Sequence, residues 1–114
     1  MKDWTAIRER YLHDAVPTRL GGLAANLSRI KSFSAHDASQ PVVEGLIEES
    51  KLFIEWTAAE AGIEAAAELV ELQLQLARWH RNWPKIWPDP AQRKEVAEQS
   101  GEWSRRVLGL SGLI

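Results

Sequence analysis

The sequence predicts an all-α domain, a four-helix antiparallel bundle preceded by a short N-terminal helix. Apolar residues recur at steps of three and four in successive segments, prolines and glycines separate these segments, and no useful length alternates between apolar and polar residues. A chain of 114 residues without an obvious linker fits one domain, residues 1–114. Short connections between amphipathic helices favour antiparallel neighbours that cross at about +20°.

The first two helices are separated by a proline. Asp3 is a candidate N-cap for a short helix that runs to about Asp14. This helix should end before Val16-Pro17, because a residue that precedes proline disfavours the helical region. Thr18 is then the predicted N-cap of the second helix. The apolar stripe of that helix consists of Leu20, Leu23, Leu27 and Ile30.

The third helix follows a stretch of loop composition, residues 34–39. Pro41 fits its first turn, where a missing backbone N–H costs nothing. Its apolar face is predicted to contain Val43, Leu46, Ser50 and Phe53, widened by Ile47 and Ile54. We expect the helix to fade between Thr57 and Gly62.

The last two helices have heptad spacing. The stripe of the fourth consists of Ala65, Leu69, Leu72, Leu76, Trp79 and Trp83. Pro84 should end this helix, and residues 85–88 should form a rigid connection. Asp89 and Pro90 are the predicted N-cap and first-turn proline of the fifth helix. Its stripe consists of Val96, Ser100, Trp103, Val107 and Leu110.

The charges are unevenly distributed, although the net charge is only −2. Residues 1–37 carry six Lys and Arg against four Asp and Glu, residues 38–77 carry eight Glu against one Lys, and residues 78–114 carry seven Lys and Arg against four Asp and Glu. We therefore expect the acidic middle to neutralise the basic flanks, within one bundle or between subunits. Nucleic acid is not the expected partner, because the overall balance is acidic and no nucleic-acid-binding motif is present.

Composition also restricts the location and the chemistry. The chain has no cysteine, which excludes disulfides, thiol catalysis and cysteine-based metal sites. Residues 1–4 show no apolar run behind a basic start, and no apolar stretch approaches the ~20 residues that span a bilayer. We expect a soluble cytoplasmic protein without a membrane span.

One enzymatic alternative is a metal-dependent hydrolase with helix-borne glutamates. Glu68-x-x-Glu71 and Glu95-x-x-Glu98 loosely resemble the magnesium-binding glutamates of helical nucleotide pyrophosphatases. The helical period argues against this site, because it turns Glu71 and Glu98 towards solvent. The Glu-x-x-His pairs of ferritin-like di-metal proteins are absent from the sequence.

A second alternative is an RNA-binding or ribonuclease-like domain. Arg8 with His13, and Arg29 with His36, superficially resemble the motif of HEPN-type helical ribonucleases, but Ile30 stands where that motif has a polar residue. No serine has a base partner in sequence, and no phosphate-binding glycine loop is present. The sequence thus predicts no catalytic residue, no metal site and no cofactor, and it favours a binding protein over an enzyme.

Tryptophan is the anomalous residue, with six in 114 residues and three of them within residues 79–87. Trp79 and Trp83 fit the apolar stripe as an aromatic plug, whereas Trp87 falls outside it, in a basic loop between two prolines. Tryptophan and arginine are enriched at interface hot spots. The candidate binding surface therefore consists of Arg78, Arg81, Trp83, Lys85 and Trp87. Its expected partner is another protein or a second copy of this chain, with RNA or a pigment as the alternative.

Three stretches carry a resemblance to a known family: residues 46–57, residues 68–79, and the region with Gln92-Arg93 and Glu102-Trp103-Ser104. Over most of its length the chain resembles a small uncharacterised all-helical family of cyanobacteria. The resemblance implies an intracellular helical domain and carries over no activity and no catalytic residue. We predict a non-enzymatic interaction or adaptor module that forms a homodimer or binds another protein.

Overall fold

The computed structural model describes residues 3–35 and 40–113, and most of these residues are helical with no β-strand among them. The prediction of an all-α protein is confirmed. The helices are α1 (Trp4–His13), α2 (Val16–Phe33), α3 (Gln40–Thr57), α4 (Ile63–Arg81), α5 (Trp83–Ile86) and α6 (Pro90–Ser111), with a 3₁₀ turn at Ala58–Glu60.

The predicted N-cap of α1 is confirmed, and that of α2 is wrong. The Asp3 side chain accepts a hydrogen bond from the backbone N–H of Ala6 at 3.2 Å. Helix α2 begins at Val16, with Ala15 rather than Thr18 at the cap position. Pro17 therefore lies inside the first turn of α2. The turn tolerates it because the first N–H groups of a helix have no intrahelical acceptor.

The boundary between α3 and α4 lies where the sequence predicts it. Helix α3 ends at Thr57 and passes into the 3₁₀ turn Ala58–Glu60. Gly62 then has φ of +87°, a left-handed conformation that favours glycine, and it precedes α4 directly. This break allows α4 to fold back along α3.

The end of α4 differs from the prediction. The helix ends at Arg81, where the N–H of the C-cap residue Asn82 donates to the carbonyl of Arg78 at 3.1 Å. Pro84 does not end α4. It lies in the first turn of the separate helix α5, a position that proline tolerates. Trp83 therefore belongs to α5 and not to the last turn of α4.

The predicted start of α6 is confirmed. The Asp89 carboxylate accepts hydrogen bonds from the N–H groups of Ala91 at 3.0 Å and Gln92 at 3.4 Å, and from the Gln92 side chain at 3.0 Å. The hydrogen bond from the Gln92 side chain, followed by that from Ala91 N–H, lowers the pKa of Asp89. At its other end α6 stops before Gly112, whose φ is +73°.

Helix α2 packs against both α3 and α6, and the predicted stripes form the core. Along α2 and α6, Gly21 lies beside Leu113, the Ala24 carbonyl accepts a hydrogen bond from Ser104 Oγ at 2.7 Å, and Lys31 lies beside Gly101. Positions rise along α2 as they fall along α6, so these two helices run in opposite directions. The largest fully buried side chains include Leu23, Leu27, Ile30, Val43, Ile47, Leu69, Leu72, Leu76, Val96 and Val107.

Helix α1 is attached to this core through Tyr11. Its ring stacks on Phe53 with centroids 3.9 Å apart, and its hydroxyl donates to the carbonyl of Arg19 at 2.7 Å. Burial raises the pKa of Tyr11 to about 12. The buried Arg19 side chain in turn donates to the carbonyls of Leu12 at 3.0 Å and Asp14 at 2.8 Å. These bonds fix the turn between α1 and α2.

Two ion pairs join the acidic middle of the chain to its basic flanks. Arg19 Nη1 lies 2.7 Å from Glu60 Oε2, and Arg106 Nη2 lies 2.7 Å from Glu68 Oε2. Each pair joins a basic residue of a flank to a glutamate of residues 38–77. Both pairs also connect elements that are distant in sequence.

None of the helices in residues 3–35 and 40–113 combines the length and the apolar character that crossing a bilayer requires.

Candidate interaction surface

The predicted binding residues are divided between the surface and the core. Arg78 and Arg81, in the last turns of α4, are exposed, and so is Lys85 in α5. Trp83 and Trp87 are buried, with exposed fractions of 1% and 6%. The prediction that Trp83 and Trp87 belong to the exposed binding surface is therefore wrong, because both indoles are buried.

The buried position of these tryptophans follows from α5. Helix α5 begins at Trp83, directly after the C-cap of α4, with Pro84 in its first turn, and Trp83 and Ile86 are its buried residues. The Trp83 and Trp87 rings are 5.5 Å apart between centroids, and the Arg93 guanidinium lies 5.1 Å from the centre of the Trp87 ring. An arginine over an indole face is a favourable cation–π contact. The aromatic plug predicted for this end of the molecule thus includes Trp87.

Helix α4 carries two apolar stripes. The inner stripe, which is buried, consists of Leu69, Leu72, Leu76 and Trp79. The outer stripe consists of Ile63, Ala67, Val70 and Leu74, with residue spacings of 4, 3 and 4. In the outer stripe Ile63 is 90% exposed, and Val70 and Leu74 are each 54% exposed. Because one helical residue advances about 100°, this set lies on the side of α4 opposite the inner stripe.

The outer stripe continues into the predicted cations. One and two turns beyond Leu74, the same side of α4 presents Arg78 and Arg81, both exposed. The exposed face of α4 is therefore apolar for three turns and basic at its C-terminal end. The sequence alone shows the 4-3-4 spacing that indicates this surface, at Ile63, Ala67, Val70 and Leu74. The heptad of the inner stripe is longer and more apolar, so it is the stripe that the sequence predicts first.

A polar groove separates α4 from α6. It has a volume of about 310 Å³ and is lined by Glu71, Leu74, Gln75, Arg78, Gln99, Glu102, Trp103 and Arg106. Arg106 is held in place along this groove, because its guanidinium lies 3.9 Å from the centre of the Trp103 ring and pairs with Glu68 at 2.7 Å. Leu74 and Arg78 thus belong both to the exposed face and to the rim of the groove.

Three of the four glutamates considered for metal binding have protein partners. Glu68 Oε2 and Glu71 Oε2 lie 2.7 and 3.8 Å from Arg106 Nη2. Glu95 Oε1 accepts a hydrogen bond from Gln99 Nε2 at 2.9 Å, and Glu98 is exposed. In residues 3–35 and 40–113, no three His, Asp or Glu side chains are grouped as metal ligands. Glu68 and Glu71 thus both lie within 4 Å of the guanidinium of Arg106.

The ribonuclease alternative depends on His13 and His36, which precede α4 in the sequence and are not part of its exposed face. His13 is exposed at the last position of α1, and His36 lies outside the described residues. His80 faces α3 instead, with its Nδ1 3.3 Å from Lys51 Nζ and its Nε2 4.0 Å from Glu44 Oε1. These contacts place His80 in the packing between α3 and α4.

A scan against protein-family models, a search of curated proteins and a search of solved structures find no match to this chain.

Proposed function

We propose that this chain is a non-enzymatic protein-interaction module that binds a partner helix through the outer stripe of α4. One observation carries the proposal: four apolar residues with heptad spacing lie on a face that no other described element covers. Heptad stripes are buried when a second helix packs against them. Contiguous exposed apolar surface of this kind is typical of interaction sites.

The cations that the sequence singled out support the same surface. Arg81 continues the spacing of the outer stripe and Arg78 lies beside it, and arginine is enriched at interface hot spots. Their aliphatic stems can pack on a partner while the guanidinium groups reach its acidic side chains. In this proposal Arg78 and Arg81 contact the partner, and Lys85 adds positive charge nearby. Trp83 and Trp87 are buried beside the C-terminal end of α4 and do not contact the partner.

The arrangement of the other helices explains why α4 is the available surface. We infer that α2, α3, α4 and α6 form an antiparallel four-helix bundle. Two contacts support opposite directions for α2 and α3, because Arg19 near the start of α2 pairs with Glu60 just after α3, and Asn26 in the middle of α2 donates to Glu49 in the middle of α3 at 3.0 Å. Between α4 and α6, Arg106 pairs with Glu68, whereas Arg78 lies across the groove from Gln99. A cytoplasmic location and membership of the cyanobacterial family stay predictions from the sequence.

Site-specific photo-crosslinking in the native cells tests this function. A photo-reactive phenylalanine analogue at position 70 should give a crosslinked protein product. The matched control is the same analogue at position 42, because Val42 is also an exposed apolar side chain, 50% exposed, on α3. Equal products from both positions, or none from position 70, would contradict the proposal.

A further inference from the structure

The heptad on the outer side of α4 is longer than its four exposed apolar residues. Extending the spacing of Ile63, Ala67, Val70 and Leu74 by 3 and 4 residues reaches Ala77 and Arg81. The outer side therefore carries six consecutive core positions of a coiled coil, of which five are apolar and the last is an arginine with a long aliphatic stem. Six such positions cover the length of α4, Ile63–Arg81.

The charges beside this stripe change sign along the helix. Glu64 lies in the first turn and Glu71 in the middle, whereas Arg78 lies in the last turn. All three occupy the same flanking position of successive heptads, on the side of the stripe that faces α6. The flank is thus acidic at its N-terminal end and basic at its C-terminal end.

From these two patterns we propose that the outer stripe of α4 is a self-association surface, on which a second copy of this chain packs its own α4 in the antiparallel direction. The pairing is isologous, so each contact occurs twice around a twofold axis near Leu72. Val70 then packs against the partner's Leu74, Ala67 against the partner's Ala77, and Ile63 against the stem of the partner's Arg81. The proposal rests on the proposed function, and it names the occupant of the same surface.

Charge complementarity selects the antiparallel direction. In this register Glu64 of each copy lies beside the partner's Arg78, which forms two symmetric ion pairs. A parallel pairing would instead place the two Arg81 side chains opposite each other in the core of the contact. Such a pairing buries like charges and is unfavourable.

One like-charge contact is left at the twofold axis, between the two copies of Glu71. Each copy supplies its own compensation, because Arg106 Nη2 lies 3.8 Å from Glu71 Oε2. The Arg106 guanidinium thereby supplies a positive charge where the dimer brings two carboxylates together.

Sedimentation equilibrium over a concentration series tests self-association. We expect the wild type to form a dimer, and Leu74→Glu to weaken the dimer by about a hundredfold or more, because two buried apolar contacts become buried charges. The matched control Val42→Glu places the same charge on α3 and should leave the dimer unchanged. A chain that is monomeric at every concentration, or a dimer that is insensitive to Leu74→Glu, overturns the proposal.

The charge pairs provide a second test with its own control. Glu64→Arg or Arg78→Glu alone should weaken the dimer by about tenfold, since each replaces two exposed ion pairs by two repulsions. The double variant Glu64→Arg with Arg78→Glu restores opposite charges and should return the affinity close to that of the wild type. Failure of this rescue, with both single variants folded, overturns the antiparallel register.

Cysteine crosslinking distinguishes the two directions directly, because the chain has no cysteine of its own. The double variant Ala67→Cys with Ala77→Cys should form a covalent dimer on mild oxidation. Ala67→Cys alone should not, since the two copies of residue 67 lie about 15 Å apart in the antiparallel register. Efficient crosslinking of the single variant would show a parallel pairing instead.

These outcomes separate the two proposals. A strict monomer whose position 70 crosslinks to a different protein overturns self-association and leaves the interaction module intact. A strict monomer that also gives no crosslinked product specific to position 70 overturns both proposals.

Discussion

Two apolar stripes lie on opposite sides of the same helix. The inner stripe of α4, Leu69, Leu72, Leu76 and Trp79, is buried against the rest of the fold. The outer stripe, Ile63, Ala67, Val70 and Leu74, also has steps of three and four residues and is also apolar throughout, but it is exposed. Its side chains are smaller on average than those of the inner stripe, and the described part of the chain supplies no second helix to cover them.

The comparison shows that spacing alone predicts a helix–helix contact but not the molecule that provides it. Helix α4 packs mainly against α3 on one side and borders the groove towards α6 on the other. The inner stripe uses these neighbours and contributes to folding. Burial of the outer stripe would contribute to association instead, because its exposed area is lost only in a complex.

The largest effect is expected where a residue assigned to the surface by sequence belongs to the core. Trp87→Ala should lower the free energy of unfolding by about 3 to 5 kcal/mol, because it removes a buried indole that contacts Trp83 and Arg93. Urea denaturation followed by far-UV circular dichroism measures this. A Trp87→Ala variant as stable as the wild type would contradict the burial of this indole.

A smaller difference is expected between equivalent leucines of the two stripes. Leu72→Ala should cost about 2 to 5 kcal/mol at every protein concentration, since Leu72 is fully buried. Leu74→Ala should change the stability of the monomer by less than about 0.5 kcal/mol. Urea midpoints at several protein concentrations test the pair. If both variants lose equal stability in the monomer, the two stripes do not differ in the way proposed.

The inner stripes of the fold follow from the sequence, because a period of 3.6 residues marks the buried side of a long helix. Most of the predicted positions are buried, from Leu20 and Val43 to Val96 and Val107. The ends of helices were harder to predict. Pro17 and Pro84 both lie in the first turn of a helix, although a proline after a helical stretch predicts the end of the preceding helix.

The site was predicted in part. The exposed cations Arg78 and Arg81 were correctly chosen as surface residues, but the four-residue helix α5 is too short to show a period, so the burial of Trp87 could not be derived. The outer stripe was visible as a spacing in the sequence. Which of two stripes faces solvent depends on the positions of α3 and α6, and the period of a single helix does not contain that information.

A pH effect sharpens the comparison at the edge of the core. Burial raises the pKa of Tyr11 from 10.0 to about 12, so the folded state favours the neutral phenol. Its contribution is complete below pH 10 and is lost as the pH rises towards 12, by about 2 to 3 kcal/mol. Tyr11→Phe lacks this ionisation and is the control, because the chain has a single tyrosine. Urea titrations between pH 9 and about 12 should show the steeper loss only in the wild type.

The smallest effect concerns the ion pair that borders the outer face of α4. Glu68→Gln weakens its contact with Arg106, and both side chains are more than a third exposed, so the loss should stay below about 1 kcal/mol. Because solvent and salt screen such pairs, this loss should shrink further when urea denaturation is repeated at high salt. The cost of Leu72→Ala should not shrink with salt, because it arises from lost apolar contacts. A salt-independent loss for Glu68→Gln would mean that the ion pair is shielded from water, as the inner stripe is. The buried side of α4 would then include Glu68, although its side chain is more than a third exposed.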